Sequence, residues 1–409
     1  MDDVPIGRRV AYWRARRRMS QRVFADRLAK SKSWVDKVER GVRRLDKFSV
    51  VYEIADVLQV DVQLLLGKDP ERRPDAVTGI DQVEVEEIRA ALERYDSISA
   101  FFDPSYRPQS LAEMRKAVSH AWLTFQHAKY EMLCRALPGL LRDAQTADAA
   151  YAGGDETRDA AHLLGQVYQI ASSALRKLGE HELSWLAADR SIALSQRAGD
   201  PLLAGVATYR VGTALLALGR ARPALEVNVN IANRLAPATA ADATPERLSV
   251  YGMLLLQGAM ASARIGDGAT VRDLLNGADE AAAAIGADHN HYWTCFGPTN
   301  VQVHRAAAAV ELGEGGQAVD THERIDPERF SGLLPERRAH HYLDIARAFA
   351  QMGDIARASE MLLAGDRLAP SEIRCRPLAH EVMSDVLRRT RGPPPVAVAG
   401  LAERMGVEI

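Results

Sequence analysis

Five pairs of an apolar residue followed by glycine recur at similar intervals in the C-terminal two thirds of the chain. The pairs are Leu178-Gly179, Leu218-Gly219, Ile265-Gly266, Leu312-Gly313 and Met352-Gly353, at intervals of 40, 47, 47 and 40 residues. Glycine commonly ends helices because it adopts the left-handed backbone without steric cost. Each pair follows a helical pattern of about 15 to 20 residues and precedes another, so the repeating unit is a helical hairpin and the predicted fold is a stack of hairpins.

The best units resemble tetratricopeptide repeats. Packing positions of that motif match Gly212, Leu215, Gly219 and Ala224 in the third unit, and Ala346, Phe349, Gly353, Ala358 and Pro370 in the sixth. The resemblance implies an all-α fold with six or seven hairpins between residues 110 and 391, wound as a right-handed superhelix. First helices of such hairpins line a concave groove.

Polar residues at the inward positions of the repeats are candidates for a ligand groove. They are Gln169, Ser173, Tyr209, Thr213, Thr299, Asn300, His340 and Arg347. Amide and guanidinium groups on such a wall clamp a peptide backbone and its carboxylate. The Gly-Pro turn before Thr299 also aims helix N-terminal N–H groups at one spot. We expect substitution of Asn300 or Arg347 to abolish an effector response without loss of stability. The alternative is that these side chains are ordinary solvated residues.

Charge divides the chain into a basic head and an acidic body. Residues 1–68 hold 16 Lys and Arg against 9 Asp and Glu, a net charge of +7, whereas residues 69–409 carry 36 against 45, a net charge of −9. A basic head of this kind favours a polyanionic partner such as nucleic acid.

The head reads as five short helices, at about residues 8–17, 21–28, 32–39, 48–58 and 62–66. Ser20 and Ser31 are suitable N-caps for the second and third helices, and Gly41 follows the third. Only three residues separate the second helix from the third. This spacing predicts a helix-turn-helix.

The third helix has an apolar and a polar face. Val35 and Val38 point inward, where Ala25 allows a close helix crossing. The predicted base contacts are Lys32, Ser33, Asp36 and Lys37, because lysine donates to guanine and aspartate accepts from cytosine. The predicted contacts to the DNA backbone are Gln21, Ser31, Trp34, Arg43 and Arg44.

The segment SQRVFADRLAKSKSWVDKVERG, residues 20–41, resembles the phage-repressor-type helix-turn-helix of the XRE family. The resemblance implies that Gln21 contacts phosphate and that Lys32, Ser33 and Lys37 contact bases. Ala29 stands where the family usually has the turn glycine, and Lys30 where it usually has an apolar residue. The alternative is a small helical bundle that binds protein.

The remaining features concern location and chemistry. The chain has 409 residues, 47% apolar, and no run of 18 apolar residues or N-terminal signal pattern, so we expect a cytoplasmic protein without a membrane span. Cys134, Cys295 and Cys375 are expected to be buried free thiols. His289, His291 and Cys295 lack a fourth metal ligand, so no metal or cofactor is expected. No catalytic constellation is recognised, and the chain is not expected to be an enzyme.

Four segments follow: a DNA-binding head at 1–68, a linker and connecting helix at 69–109, a repeat array at 110–391 and a capping segment at 392–409. The combination resembles the repressor-headed, tetratricopeptide-bodied peptide-pheromone receptors of Gram-positive bacteria. That resemblance implies a transcriptional regulator that senses a small peptide or metabolite and binds an inverted-repeat operator in double-stranded DNA as a homodimer. The alternative is an interaction scaffold whose array docks a protein partner.

Overall fold

The chain folds into two compact units, Met1–Asp75 and Ala76–Ile409. The computed structural model describes residues 6–16, 19–28, 30–43, 45, 48–58, 82–93 and 109–408. These residues form 21 α-helices, and their only β-type pairing is an isolated bridge between His289 and Phe296. The predicted all-α class is confirmed.

The N-terminal unit contains four described helices, α1 (Ile6–Arg16), α2 (Gln21–Arg27), α3 (Lys32–Glu39) and α4 (Phe48–Leu58). Their apolar faces meet in one small core that includes Val10, Phe24, Val35, Ile54 and Leu58. The fifth helix predicted at 62–66 lies outside the described residues, as do residues 69–81 and 94–108 of the linker and connecting helix predicted at 69–109.

The second unit begins with α5 (Gln82–Glu93) and continues with sixteen further helices. They are α6 (Leu111–Gln126), α7 (Tyr130–Ala150), α8 (Thr157–Lys177), α9 (His181–Ala198), α10 (Pro201–Ala217), α11 (Ala221–Leu235), α12 (Pro245–Ile265), α13 (Gly268–Ile285), α14 (Pro298–Leu312), α15 (Gly315–Arg324), α16 (Pro327–Gly332), α17 (Pro335–Met352), α18 (Ile355–Leu368), α19 (Pro370–Arg374), α20 (Pro377–Arg389) and α21 (Val396–Met405). Two short 3-10 helices, Ala240–Asp242 and His291–Trp293, lie in the longer connections.

These helices pack as antiparallel hairpins, and the first helices of successive hairpins contact one another. The glycines of all five apolar-Gly pairs have left-handed backbones, with φ between 75° and 86°. That conformation ends the first helix of a hairpin and lets the chain turn back into the second, as the sequence predicts.

The hairpin stack curls until its beginning meets its end. Helix α6 of the first hairpin contacts α17 of the sixth, and one apolar cluster contains Trp122 and Tyr130 together with Ala339 and Ala369. The concave side of the array is therefore packed by its own side chains.

The two ends of the second unit are covered by additional helices. Helix α5 packs against α7 and buries Val85, Ile88 and Leu92 in the same core as the first hairpins. Helix α21 buries Leu401 and Met405 against the last hairpins. None of the described helices is both long and apolar enough to cross a membrane.

Candidate DNA-binding surface and array interior

Helices α2 and α3 begin at the two predicted serine caps. The Ser20 hydroxyl accepts a hydrogen bond from the Val23 N–H at 3.2 Å, and the Ser31 hydroxyl accepts from the Trp34 N–H at 3.1 Å. Each cap satisfies an N–H that the first helical turn leaves without an intrahelical acceptor. The sequence therefore sets where both helices start.

The inward face of α3 is fixed by a close backbone approach and a buried ion pair. Val35 and Val38 are fully buried, and a Cβ at Gly7 would lie 2.0 Å from the Val38 carbonyl oxygen. The buried Glu39 carboxylate accepts from Arg14 Nε at 2.5 Å and from Gln21 Nε2 at 2.8 Å. Glu39 thus joins α3 to both preceding helices.

The outward face of α3 is polar. Lys32, Ser33 and Lys37 are exposed, and Asp36 forms an ion pair with Arg40 at 3.4 Å. The residues predicted to contact bases therefore share the surface opposite the core.

The residues predicted to contact the DNA backbone lie at both ends of α3. Ser31 caps the helix, whereas the Arg43 guanidinium lies 5.9 Å from the Trp34 ring centroid, where cation–π attraction holds it. Gln21 has one amide proton left after its bond to Glu39. Arg44 lies outside the described residues.

Residues 5–66 match a family model described as a helix-turn-helix domain. The N-terminal unit is a helix-turn-helix DNA-binding domain. Comparisons of the chain with curated proteins and with solved structures find no match. The match ends within the first unit, so it carries no information on the array that follows the helix-turn-helix domain.

The array interior differs from the predicted open groove. Gln169, Ser173, Tyr209, Thr299 and Asn300 are each 5% exposed or less. Several of their polar atoms are bonded within the protein: the Ser173 hydroxyl donates to the Gln169 carbonyl at 2.7 Å, and the Asn300 amide N–H to the Cys295 carbonyl at 2.8 Å. Thr299 Oγ1 and Asn300 Oδ1 are buried without a hydrogen-bond partner among the described residues. These five side chains belong to the helix packing, and their assignment to a solvent-facing wall is corrected.

The helix N-terminus at residues 298–300 is likewise already occupied. Asp288 Oδ1 accepts from the backbone N–H of Thr299 at 3.1 Å and from that of Asn300 at 3.3 Å. An internal carboxylate therefore takes the place that the sequence suggests for a ligand.

The three other predicted groove residues are partly exposed but have partners. Arg347 donates to Glu311 at 2.8 Å and lies 3.5 Å from Asp344. Its substitution would leave the buried Glu311 with Arg264 alone and would remove the arginine beside the buried Asp344. Thr213 donates to the carbonyl oxygen of Arg210. From these contacts we expect substitution of Arg347 to lower the stability of the array, contrary to the expectation from the sequence.

The last of them, His340, borders a buried ionic cluster that the sequence does not reveal. Lys177 Nζ lies 2.5 Å from Glu336 Oε1 and 2.6 Å from Glu372 Oε1, and all three side chains are almost fully buried. Burial lowers the pKa of Lys177 to about 8, although the two carboxylates oppose this change. Before the fold is known, Lys177 looks like a solvated cation at the end of a helix, so no local signal identifies it.

The cluster also contains the described residues best placed to hold a metal. Ligand atoms of Glu336, His340 and Glu372 lie within 4.8 Å of one another. The Lys177 ammonium bridges both carboxylates and Arg376 also pairs with Glu372, so two cationic side chains already fill the place of a metal ion. The cluster therefore fits an internal ion pair better than a metal centre.

The second set of possible metal ligands also fits a metal poorly. Burial raises the pKa of the Cys295 thiol to about 12, so the sulfur is protonated and a weak ligand. His289 and His291 have adjacent rings, 5.3 Å between centroids, and Glu246 Oε1 lies 3.4 Å from His291 Nδ1. These groups do not form one of the described clusters of three ligand atoms close enough to share a metal ion.

Proposed function

We propose that the chain is a sequence-specific transcriptional regulator of the XRE type. The observation that carries the proposal is α3: its inner face holds Val35 and Val38 in the core of a helix-turn-helix domain, and its outer face exposes Lys32, Ser33 and Lys37. A helix of this kind places exposed side chains at base edges in the major groove. Asp36 belongs to the same proposed base-reading set.

Backbone contacts are proposed for Gln21, Ser31, Trp34, Arg43 and Arg44. These residues flank the base-reading face, and phosphate contacts at both ends of a recognition helix set its register on the duplex. Their contribution is electrostatic and independent of sequence.

The array is proposed to act as the sensor of a small peptide or metabolite, and the regulator to bind an inverted repeat as a homodimer in the cytoplasm. Support comes from the curled hairpin stack, in which distant helices share one interior. A ligand that binds one arrangement of such a stack better than another shifts the population between them, and with it DNA affinity.

The test compares two kinds of substitution on operator and on random DNA. Lys32→Ala and Lys37→Ala should weaken operator binding by about 1–3 kcal/mol each and relax base choice locally. Arg43→Ala should weaken operator and random DNA alike, and should reduce the salt dependence of affinity. Footprinting on the DNA upstream of its own gene supplies the operator. Equal effects of all three substitutions on both DNAs would contradict the assigned roles.

A second candidate function is an interaction scaffold whose array docks a protein partner. The observation that favours it is exposed apolar area on the array, where Met132 is 60%, Leu123 44% and Trp185 38% exposed. Large apolar side chains at the surface are typical of interaction sites when they cluster. Met132→Ser should abolish partner capture and leave DNA affinity unchanged if the scaffold is correct. The sensor function would be supported if cell extract changes the DNA affinity of the wild type and changes that of the Met132→Ser variant equally.

A further inference from the structure

The loop before the fifth hairpin reaches back to the first three hairpins. It spans residues 287–297, between α13 and α14, and its base is fixed at both ends. The His289 N–H donates to the Phe296 carbonyl oxygen at 2.9 Å, the Phe296 ring is fully buried, and Asp288 caps α14. Residues 290–293, which we call the tip, extend from this base.

The tip is attached to helix α6 by an amide pair and a ring stack. The carboxamides of Asn290 and Gln126 exchange two hydrogen bonds, at 3.1 and 2.9 Å, and Gln126 also donates to the Trp293 carbonyl oxygen at 3.3 Å. The Trp293 ring stacks on that of Trp122, with 5.8 Å between ring centroids and an interplanar angle of 15°. The tip is thereby bound to the first hairpin.

Two further contacts of the tip reach the second and third hairpins. Gln166 Oε1 on α8 accepts from the indole N–H of Trp293 and from that of Trp122, each at 3.1 Å. The Tyr292 hydroxyl donates to Asp200 Oδ2 at 3.1 Å, and Asp200 caps α10. In an open solenoid each repeat contacts only its neighbours. This tip instead binds three hairpins that are not adjacent to it in the stack.

The tip borders solvent. His289 and Asn290 are exposed, and residues 291–293 are half-buried. Solvent can therefore replace the hydrogen bonds of the tip when they break, so little of their strength is lost on opening. The cluster around Lys177, which also joins distant hairpins, is almost fully buried, and its separation would leave buried charges unpaired. Of these two connections, the tip is the one that can open while the array stays folded.

The backbone of the tip is held in a conformation that its residues disfavour. Tyr292 and Trp293 have left-handed backbones, with φ of 50° and 60°, and Cys295 follows with 54°. Residues with a Cβ rarely adopt this conformation, so the contacts with the other hairpins must hold it in place. Release of this strain lowers the free energy needed to move the tip away.

We infer that the tip, residues 290–293, is a lid that opens locally while the rest of the array stays folded. Opening would uncover the Trp122 ring and the carboxamides of Gln126 and Gln166, all of which lie on first helices of the hairpins. The packed interior of the array would then be reachable from solvent. That an effector enters here rests on the proposed function; that the tip opens does not.

Hydrogen exchange of the full chain without DNA, measured by mass spectrometry at increasing urea concentrations below the unfolding transition, tests the lid. The N–H groups of residues 293–295 bond to Asn290 and His291 within the loop, so they report its opening. Exchange through a local opening is nearly independent of urea because little surface is exposed, whereas exchange through global unfolding accelerates with urea.

We expect the amides of residues 293–295 to exchange independently of urea and at least about 10-fold faster than those of α14, the helix that follows the loop. Loop amides that exchange only as fast as those of α14, and accelerate with urea in parallel with them, would overturn the inference.

Gln126→Leu assigns the opening to the contact with α6. It removes the amide pair, so the loop amides should exchange about 10-fold faster than in the wild type, with α9 unchanged. Gln145→Leu is the matched control, since Gln145 is a buried glutamine of α7 that donates to the Ala91 carbonyl oxygen and to the Tyr168 hydroxyl, each at 3.1 Å. It should leave loop exchange as in the wild type. Equal acceleration in both variants, or none in Gln126→Leu, would overturn the assignment.

Tyr292→Phe decides the matter if Gln126→Leu does not fold. It removes one hydrogen bond of a half-buried side chain and should accelerate loop exchange by about 2- to 10-fold. Tyr342→Phe, at a half-buried position of α17, is its control. Equal loop exchange in the two variants would overturn the inference. DNA affinity is scored in a separate assay, where failure to bind DNA counts against the proposed function and the exchange data decide the lid by themselves.

Discussion

Two buried histidines of the array stay neutral in the folded chain at pH values where an unfolded chain protonates them. His304 and His341 are 5% and 0% exposed, and burial lowers the pKa of each to about 3. His341 Nε2 shares a hydrogen bond with His322 Nδ1 at 2.9 Å, and His304 Nδ1 lies 2.9 Å from the Asn300 carbonyl oxygen. The array therefore packs around neutral imidazoles.

Acidification should destabilise the array through these histidines. Their folded pKa lies below the unfolded value of about 6.5, so between these limits the unfolded chain takes up protons that the folded chain excludes. Stability is complete above pH 6.5 and declines by about 1.4 kcal/mol per pH unit for each histidine as the pH falls further below that value. Urea unfolding at pH 7.5 and 5.5 measures the decline. His341→Phe should make it smaller, and His120→Gln, at an exposed position, should not.

The sequence predicted the solvent exposure of inward-facing array residues less well than that of the side chains on α3. The repeat pattern indicates that Gln169 and Asn300 lie on first helices and point inward, and they do. It cannot show whether the interior is open, because that depends on contacts such as Lys177 with Glu336, which are 159 positions apart. Whether a side chain of α3 is buried depends on neighbours within about one helical hairpin. Local periodicity therefore predicts the buried and exposed faces of the helix.

Among the elements, α3 depends on the helix that precedes the helix-turn-helix pair. Gly7 of α1 lies against the Val38 carbonyl, and Glu39 anchors Arg14 and Gln21. The position of the α3 surface that we propose contacts DNA is thus set partly by α1, whose importance is not visible in the motif.

Gly7→Ala should displace α1 from α3. The added Cβ would meet backbone 2.0 Å away, which cannot move as a flexible side chain could, and overpacking of this kind costs about 1–3 kcal/mol. Thermal unfolding of the full chain tests this prediction, with Trp13 and Trp34 as the probes of the N-terminal unit. DNA affinity is measured in parallel. Ala15→Ser, at an exposed position of α1, is the control. Equal stability of the Gly7→Ala and Ala15→Ser variants would refute the close approach.

Elements were predicted better than the contacts between them. Ser20, Ser31 and the five apolar-Gly pairs act through hydrogen bonds and φ angles within a few residues, which a sequence displays directly. The stack closes because small rotations between successive hairpins add up along the chain. No local sequence pattern predicts how large the total rotation is.

At the scale of the whole molecule, the buried ionic cluster joins helices from the beginning and end of the array. Lys177→Met would leave Glu336 without its ammonium, and Glu372 with Arg376 as its remaining cation and the Tyr130 hydroxyl as a further donor. Breaking a buried pair in this way costs about 3–5 kcal/mol. We expect a marked fall in melting temperature, against almost none for Lys129→Met, whose lysine is exposed. Similar melting temperatures for the two variants would show that the cluster does not hold the array closed.

The full chain should bind an inverted repeat as a dimer. One recognition helix reads only a few base pairs, and two-fold symmetry doubles the site, so half-site centres should lie about one or two helical turns apart. Sedimentation of the protein with operator DNA measures the stoichiometry. A single protein chain per operator at micromolar concentration would rule this out.

Contact between α6 and α17 also bears on how this architecture can evolve. Open solenoids gain and lose repeats readily, because each repeat touches only its neighbours and a duplication lengthens the stack without disturbing it. Here one hairpin more or fewer would carry α17 away from α6 and separate Lys177 from Glu336. The number of hairpins is therefore fixed by geometry, and diversification is confined to substitutions and loop insertions within a constant repeat count.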